Sequence, residues 1–219
     1  MLITKIIRKK TKRPLYSVYV DGAYGFDVSD EVLAKFGLAV GERLDDKKVE
    51  QIVTSEAMYR AQQIAINYIS YRPRSSKEVI DHLKKKSFSA ELAKTVTQQL
   101  QKKNLIDDIA FAQMFVRDRL KRKPIGSARL RQQLLMKGIA PNIIERVLHD
   151  LVNDDDQQRA AELLAAKRLS HAAGSYAQLD PAKRKRRMFE YLLRRGFSTD
   201  IASKTVRTLF AHQTEGRAA

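Results

Sequence analysis

Two acidic groups, Asp107-Asp108 and Asp154-Asp155-Asp156, are the residues most able to do chemistry by type and spacing. Adjacent carboxylates can hold a divalent cation. They can equally accept hydrogen bonds from the free N–H groups that open a helix, where negative charge also meets the favourable end of the dipole. Both groups stand immediately before a helical pattern, so capping is the expected role. A Mg²⁺-dependent nuclease built on the aspartates is a lesser alternative. The four histidines, His82, His149, His171 and His212, show no metal-ligand spacing. There is no phosphate-cradling Walker loop, no Gly-x-Ser-x-Gly elbow and no His-Glu-x-x-His. The chain is therefore not expected to be an enzyme, and no cofactor or metal is expected.

The second chemistry is cationic. Forty-two Lys and Arg face 25 Asp and Glu, a formal charge of +17. Such a field draws polyanions and speeds their encounter, and nucleic acid is the commonest of them. The cations recur in equivalent places. Arg72 and Arg74 flank Pro73; Arg117, Arg119, Lys121, Arg122 and Lys123 precede Pro124. Lys84, Lys85 and Lys86 follow one helical pattern, Arg129, Arg131 and Lys137 lie along another, and Lys183, Arg184, Lys185, Arg186, Arg187, Arg194 and Arg195 crowd a third. Any single run is ordinarily a solvated helix face. Recurrence across three copies suggests one basic track matched to spaced phosphates, each contact releasing a counterion. Arginine dominates the last copy, which suits forked contacts to phosphate or carboxylate. No base-reading motif is present, so backbone contact is favoured over sequence readout. Tyr68 and Tyr71 are expected to pack between helices rather than stack on bases.

Those side chains need a scaffold, and the chain repeats one. Aligning Leu83 with Leu134 and with Leu192 superposes Val79, Leu130 and Met188; it also superposes Leu100, Leu151 and Leu209. Each copy reads as three helices. The first ends near a proline, because the residue before proline is pushed out of the helical region. The second ends at Gly138 or Gly196, where glycine can adopt the left-handed conformation. Ser87 replaces that glycine in the first copy and should be strained or closed differently. Ser89 and Ser198 are expected N-caps, and Pro141 suits a first helical position. Three helices of this size make a thin core, so neighbours should stack end to end in an elongated array.

Before the repeats, Leu15–Val20, the Asp21-Gly22 turn and the segment after it read as a β-hairpin. Short helices are expected at 31–36 and from Asp45 or Asp46. The expected organisation is a β-rich unit over 1–55, repeats over 56–104, 105–152 and 153–212, and a flexible tail over 213–219. The absence of cysteine points to a reducing cytoplasm. No apolar run is long enough to cross a membrane, and the start does not read as a signal peptide. A tandem array needs no second copy, so a monomer is expected.

These segments resemble the RecX family of bacterial regulatory proteins. The resemblance rests on Tyr68 to Ser75 ("YISYRPRS"), on Ile106, Asp107, Asp108, Phe111 and Ala112, and on Arg119, Leu120, Lys123, Pro124 and Gly126, followed by Lys137-Gly138-Ile139. It covers about residues 56–210, with Ser87 and the divergent third copy as departures. The resemblance implies a mainly α fold of tandem three-helix repeats in an elongated, curved array with a small β-rich N-terminal unit. It also implies binding to the RecA filament and to single- and double-stranded DNA. The outcome would be restraint of recombinase, ATPase and coprotease activity in DNA repair, recombination and the SOS response. The residues expected to carry binding to nucleic acid or the filament are Arg72, Arg74, Lys84, Lys85, Lys86, Arg117, Arg119, Arg122, Lys123, Arg129, Arg131, Lys183, Arg184, Lys185, Arg186, Arg187, Arg194 and Arg195. The alternative from the residues alone is a general DNA- or RNA-binding protein of helix-turn-helix-like repeats.

Overall fold

The hairpin signal at Asp21-Gly22 is met by a tight turn in which both residues have positive φ, 51° and 85°, the geometry that matches the twist of paired strands. In the computed structural model, which describes residues 1–11, 13–171 and 179–215, this turn joins β2 (Leu15–Val20) to β3 (Ala23–Ser29). The strand β1 (Ile3–Arg8) pairs with β2, giving an antiparallel sheet of order β1-β2-β3. Ser29 then caps α1 (Asp30–Phe36), which Gly37 closes at φ 62°.

The helix α2 runs from Asp46 to Ser70, capped by Asp45. It is one helix where the sequence reading had a short helix and a fresh start near residue 56. The chain has no glycine or proline between Gly41 and Pro73, so nothing interrupts it. Glu56, at the expected break, is buried, and its Oε2 accepts from Ser29 N and Ser29 Oγ at 2.8 Å each. The carboxylate thus ties α2 to the start of α1.

The chain forms two compact units, Met1–Arg72 with Val79–Leu105, and Pro73–Glu78 with Ile106–Ala219. The first holds the sheet, whose core of Ile3, Val18, Val28, Val32, Leu38, Leu44 and Ile52 is sealed by α1 and α2. It also holds the far end of α2, most of α3 (Ser76–Lys85) and α4 (Ala90–Lys102). Ala61, Ala65, Val79, Leu83, Ala93, Val96 and Leu100 are all fully buried there.

The second unit contains two three-helix groups. Helices α5 (Asp108–Arg122), α6 (Ser127–Met136) and α7 (Pro141–Leu151) enclose Phe111, Ala112, Val116, Leu130, Leu134, Ile139, Ile144, Val147 and Leu148. Helices α8 (Asp154–His171), α9 (Pro181–Arg194) and α10 (Thr199–Glu215) enclose Ala161, Leu164, Ala165, Met188, Leu192, Phe197, Ala202, Val206 and Phe210. The tail expected over 213–219 lies largely outside the described residues; the helix assignment reaches Glu215.

The middle helix ends the same way in all three copies. Phe88, Ile139 and Phe197 donate their N–H back to the carbonyls of Leu83, Leu134 and Leu192 at 3.1–3.2 Å. The residue before each is left-handed: Ser87 at φ 66°, Gly138 at 77° and Gly196 at 90°. This is the double back-bonded helix closure with its apolar follower. Serine does not use another closure; it adopts the glycine's conformation with a Cβ in place. Ser89 caps α4, Ser198 Oγ accepts from Ile201 N at 3.3 Å, and Pro141 opens α7.

A second device recurs within the second unit. Gly126 N donates to Arg195 O at 3.0 Å and Ala128 N to Gly196 O at 3.1 Å. A Cβ on Gly126 would stand 1.9 Å from the Gly196 carbonyl carbon, so only glycine permits this approach. At the corresponding place Ser75 Oγ donates to Lys137 O at 2.7 Å. The opening N–H groups are then capped from elsewhere in the unit: Ser76 N donates to Asp108 Oδ1 at 2.8 Å, and Ser127 N to Gln157 Oε1 at 3.1 Å.

Candidate polyanion-binding surface

Of the two acidic groups, Asp107-Asp108 caps as expected, whereas the opening of α8 is capped by the residue before its aspartates. Asp107 Oδ1 accepts from Ile109 N and Ala110 N at 2.8 and 3.0 Å, opening α5, while its neighbour Asp108 serves Ser76 as described. At α8 the cap is Asn153, whose Oδ1 accepts from Asp156 N at 2.7 Å. Hydrogen bonds from the Asn153 amide and the Arg159 guanidinium hold the Asp156 carboxyl below the usual range. Among the described residues no group of three or more His, Asp or Glu side chains converges as a metal site would require.

The cations divide by what they touch. Arg131, on α6, meets Glu145 of α7 through Nε and a terminal nitrogen, both at 2.7 Å, a two-pronged pair. That hydrogen bonding holds the Glu145 carboxyl below its usual value and raises the Arg131 guanidinium. Arg186 Nε donates to Glu190 at 2.9 Å, and Arg194 lies 4.0 Å from the same carboxylate. Arg184 Nε donates to the Leu179 carbonyl at 2.7 Å. Lys183, Lys185 and Arg187 are exposed on the same helix, Arg117 is exposed on α5, and Lys84, Lys85 and Lys86 are exposed at the end of α3. Arg72 is exposed beyond α2 and Arg74 is half-buried.

Five of the expected residues converge in the second unit. Arg119, Arg122, Lys123, Arg129 and Arg195 surround a cavity of about 380 Å³ with Pro124, Ile125 and Gln133. The α5 helix supplies the first two and its C-cap Lys123, the start of α6 supplies Arg129, and the turn after α9 supplies Arg195. Their placement follows from the Gly126–Gly196 approach, which brings the ends of α5 and α9 together. Arg119 lies over the Phe115 ring at 4.8 Å, a cation–π contact that holds the guanidinium at the wall. Arg122 Nε donates to Asp118 Oδ1 at 2.9 Å. Among the described residues no carboxylate lines the cavity.

A second cavity of about 610 Å³ shares Arg122, Lys123, Pro124 and Arg195, and adds Leu163, Leu164, Lys167, Arg168, His171 and Tyr191. Arg168 and Arg195 lie 5.1 and 6.0 Å from the Tyr191 ring centroid. The sequence reading passed over Lys167 and Arg168 and weighed His171 only as a metal ligand. They end α8 as Arg119 to Lys123 end α5, but residues 172–180 separate them from Pro181, whereas Pro124 follows α5 almost at once. Tyr68 lies parallel to the His82 ring at 3.9 Å, a packed position, whereas Tyr71 is 78% exposed, contrary to its expected place between helices.

Residues 1–45 match the regulatory protein RecX N-terminal domain. Residues 61–100, 107–148 and 154–206 match the first, second and third RecX three-helix domains. The chain belongs to the RecX family. It is 32% identical over 214 residues to a regulatory protein RecX of Lactobacillus delbrueckii subsp. bulgaricus, spanning 98% of this chain and 77% of the relative. It is 33% identical over 205 residues to that of Leuconostoc mesenteroides, spanning 93% and 74%. A crystal structure of a regulatory protein RecX superposes with a TM-score of 0.75 at 30% identity, over 91% of this chain and 96% of that one. RecX from Lactobacillus salivarius superposes with 0.62 at 27% identity, over 72% and 99%. The fold is accordingly that of RecX, mainly α with three-helix repeats and a small antiparallel N-terminal sheet. Among the described residues no helix is long and apolar enough to cross a membrane.

Proposed function

We propose that this RecX protein binds the RecA filament on DNA and restrains its recombinase, ATPase and coprotease activities, so modulating repair and recombination. The observation that carries this reading is the convergence of Arg119, Arg122, Lys123, Arg129 and Arg195 on one cavity. It occurs in a chain of +17 whose relatives are regulatory proteins. Five cations in one concavity, of which Arg122 alone is shown paired, to Asp118, favour a polyanion, and phosphate contact of this kind is independent of base sequence. The exposed Lys84, Lys85, Lys86, Arg117, Lys183, Lys185 and Arg187 add further contacts, and several weak contacts in series multiply into avidity. Arg131 and Arg186, held by glutamates, contribute less. The protein acts without catalysis or cofactor, as a monomer in the cytoplasm, through repeats spanning 56–104, 105–152 and 153–212.

The test mixes the chain with RecA, single-stranded DNA and ATP. ATP hydrolysis and strand exchange are expected to fall as the chain is added; unchanged rates at saturation reject the reading. A strong base-sequence preference in DNA binding would favour a general DNA-binding protein instead.

A further inference from the structure

The two cavities beside Pro124 divide their chemistry unevenly. Among the described residues the smaller is lined by five cations and Gln133, with no carboxylate. Two of its wall atoms, Arg119 Nε and Gln133 Oε1, are buried without a hydrogen-bond partner. Buried polar atoms are rarely left so unless something further completes them. The larger cavity presents Leu163, Leu164 and Tyr191, and Leu163 is 65% exposed. The cavities share Arg122, Lys123, Pro124 and Arg195, so one molecule can occupy both.

Arg122 is met by Asp118; the four other like charges around so small a volume call for compact negative charge to neutralise them. An internal phosphodiester brings one charge, and its neighbours stand away along the strand. Acidic side chains also bring one charge each. Linked phosphoryl groups share bridging oxygens, so their charges stand closer together than those of successive strand phosphates, which a sugar separates. The apolar wall next door suits a sugar and base. The Arg168 and Arg195 guanidiniums lie near the Tyr191 ring, which leaves exposed Leu163 as the apolar surface for a base.

We infer that the two cavities form one site for a free nucleoside polyphosphate, phosphoryl groups among Arg119, Lys123, Arg129 and Arg195, and the nucleoside against Leu163. The inference draws on cations that the proposed function also uses, but it does not depend on the filament.

The test is equilibrium binding of the full chain to AMP, ADP, ATP and tripolyphosphate, at fixed ionic strength without divalent cations. Affinity is expected to rise about tenfold with each added phosphoryl group, and ATP to bind about tenfold more tightly than tripolyphosphate. Lys123→Ala and Arg129→Ala, both at exposed positions, should each weaken ATP about tenfold. Leu163→Ser should weaken ATP and leave tripolyphosphate unchanged, with thermal melts confirming that each variant folds. ATP binding no tighter than AMP, or ATP affinity unmoved by all three substitutions, overturns the site. A single-stranded oligonucleotide without terminal phosphate is the comparison: if Leu163→Ser weakens it as much as ATP, the cavities belong to the strand and the inference fails. Suppression of RecA ATP hydrolysis by the unaltered chain is read separately, so loss of either result leaves the other standing.

Discussion

Ser87 occupies a backbone conformation that its Cβ disfavours, at φ 66°. Left-handed geometry costs an L-residue about 1 kcal/mol or more relative to glycine. Ser87→Gly is therefore expected to stabilise the protein by about 1 kcal/mol in urea or thermal unfolding, without disturbing the Phe88–Leu83 hydrogen bond. The substitution was visible from the repeat alignment alone; that serine would copy the glycine's closure was not, because an alternative turn was open to it. The Arg131–Glu145 pair is one source of pH dependence. A carboxyl held below its usual value stabilises the fold above the unfolded value near 4.5 and loses that contribution as pH falls through the folded one. Melting temperature should thus drop on acidification below about pH 4.5, and Glu145→Gln should flatten that drop. Because the pair is exposed, its share of the drop is expected to be small.

At the scale of elements, the repeats were legible because their apolar spacing and helix stops are written locally. Val79, Leu130 and Met188, aligned by spacing, are all fully buried. The continuity of α2 was harder to read: the repeat pattern reads as beginning at residue 56, whereas a helix ends only where a breaker or cap ends it. The capping of α3 and α6 by Asp108 and Gln157 was also hidden. Each acceptor stands some 30 residues from its donor, and the two differ in type, aspartate in one copy and glutamine in the other. Asp108→Ala and Gln157→Ala are each expected to cost about 1–2 kcal/mol of stability. The control Asp118→Ala, which removes only an exposed partner of Arg122, should be nearly neutral.

For the whole molecule, charge rather than shape was the legible quantity. A net +17 pointed to a polyanion without saying where it would bind. The convergence of Arg119, Arg122, Lys123, Arg129 and Arg195 depends on packing between helix groups, which spacing along a chain does not encode. If these five contact duplex phosphates, log affinity for DNA should fall against log salt with a slope of about −4 to −5. Lys123→Ala should make the slope shallower by about 1 and weaken all sequences alike. A slope near zero in fluorescence anisotropy titrations would remove phosphate contact as the basis of binding.

The junction at Gly126 and Gly196 is made of main chain on both sides. Amide and carbonyl groups are common to every residue, so the junction's dimensions do not depend on which side chains surround it. Evolution is then free to exchange arginine for lysine, or to delete a charge, along the rim while the distance between those anchoring points stays the same. Variation among relatives should accordingly tune how tightly a partner is held far more readily than which partner fits.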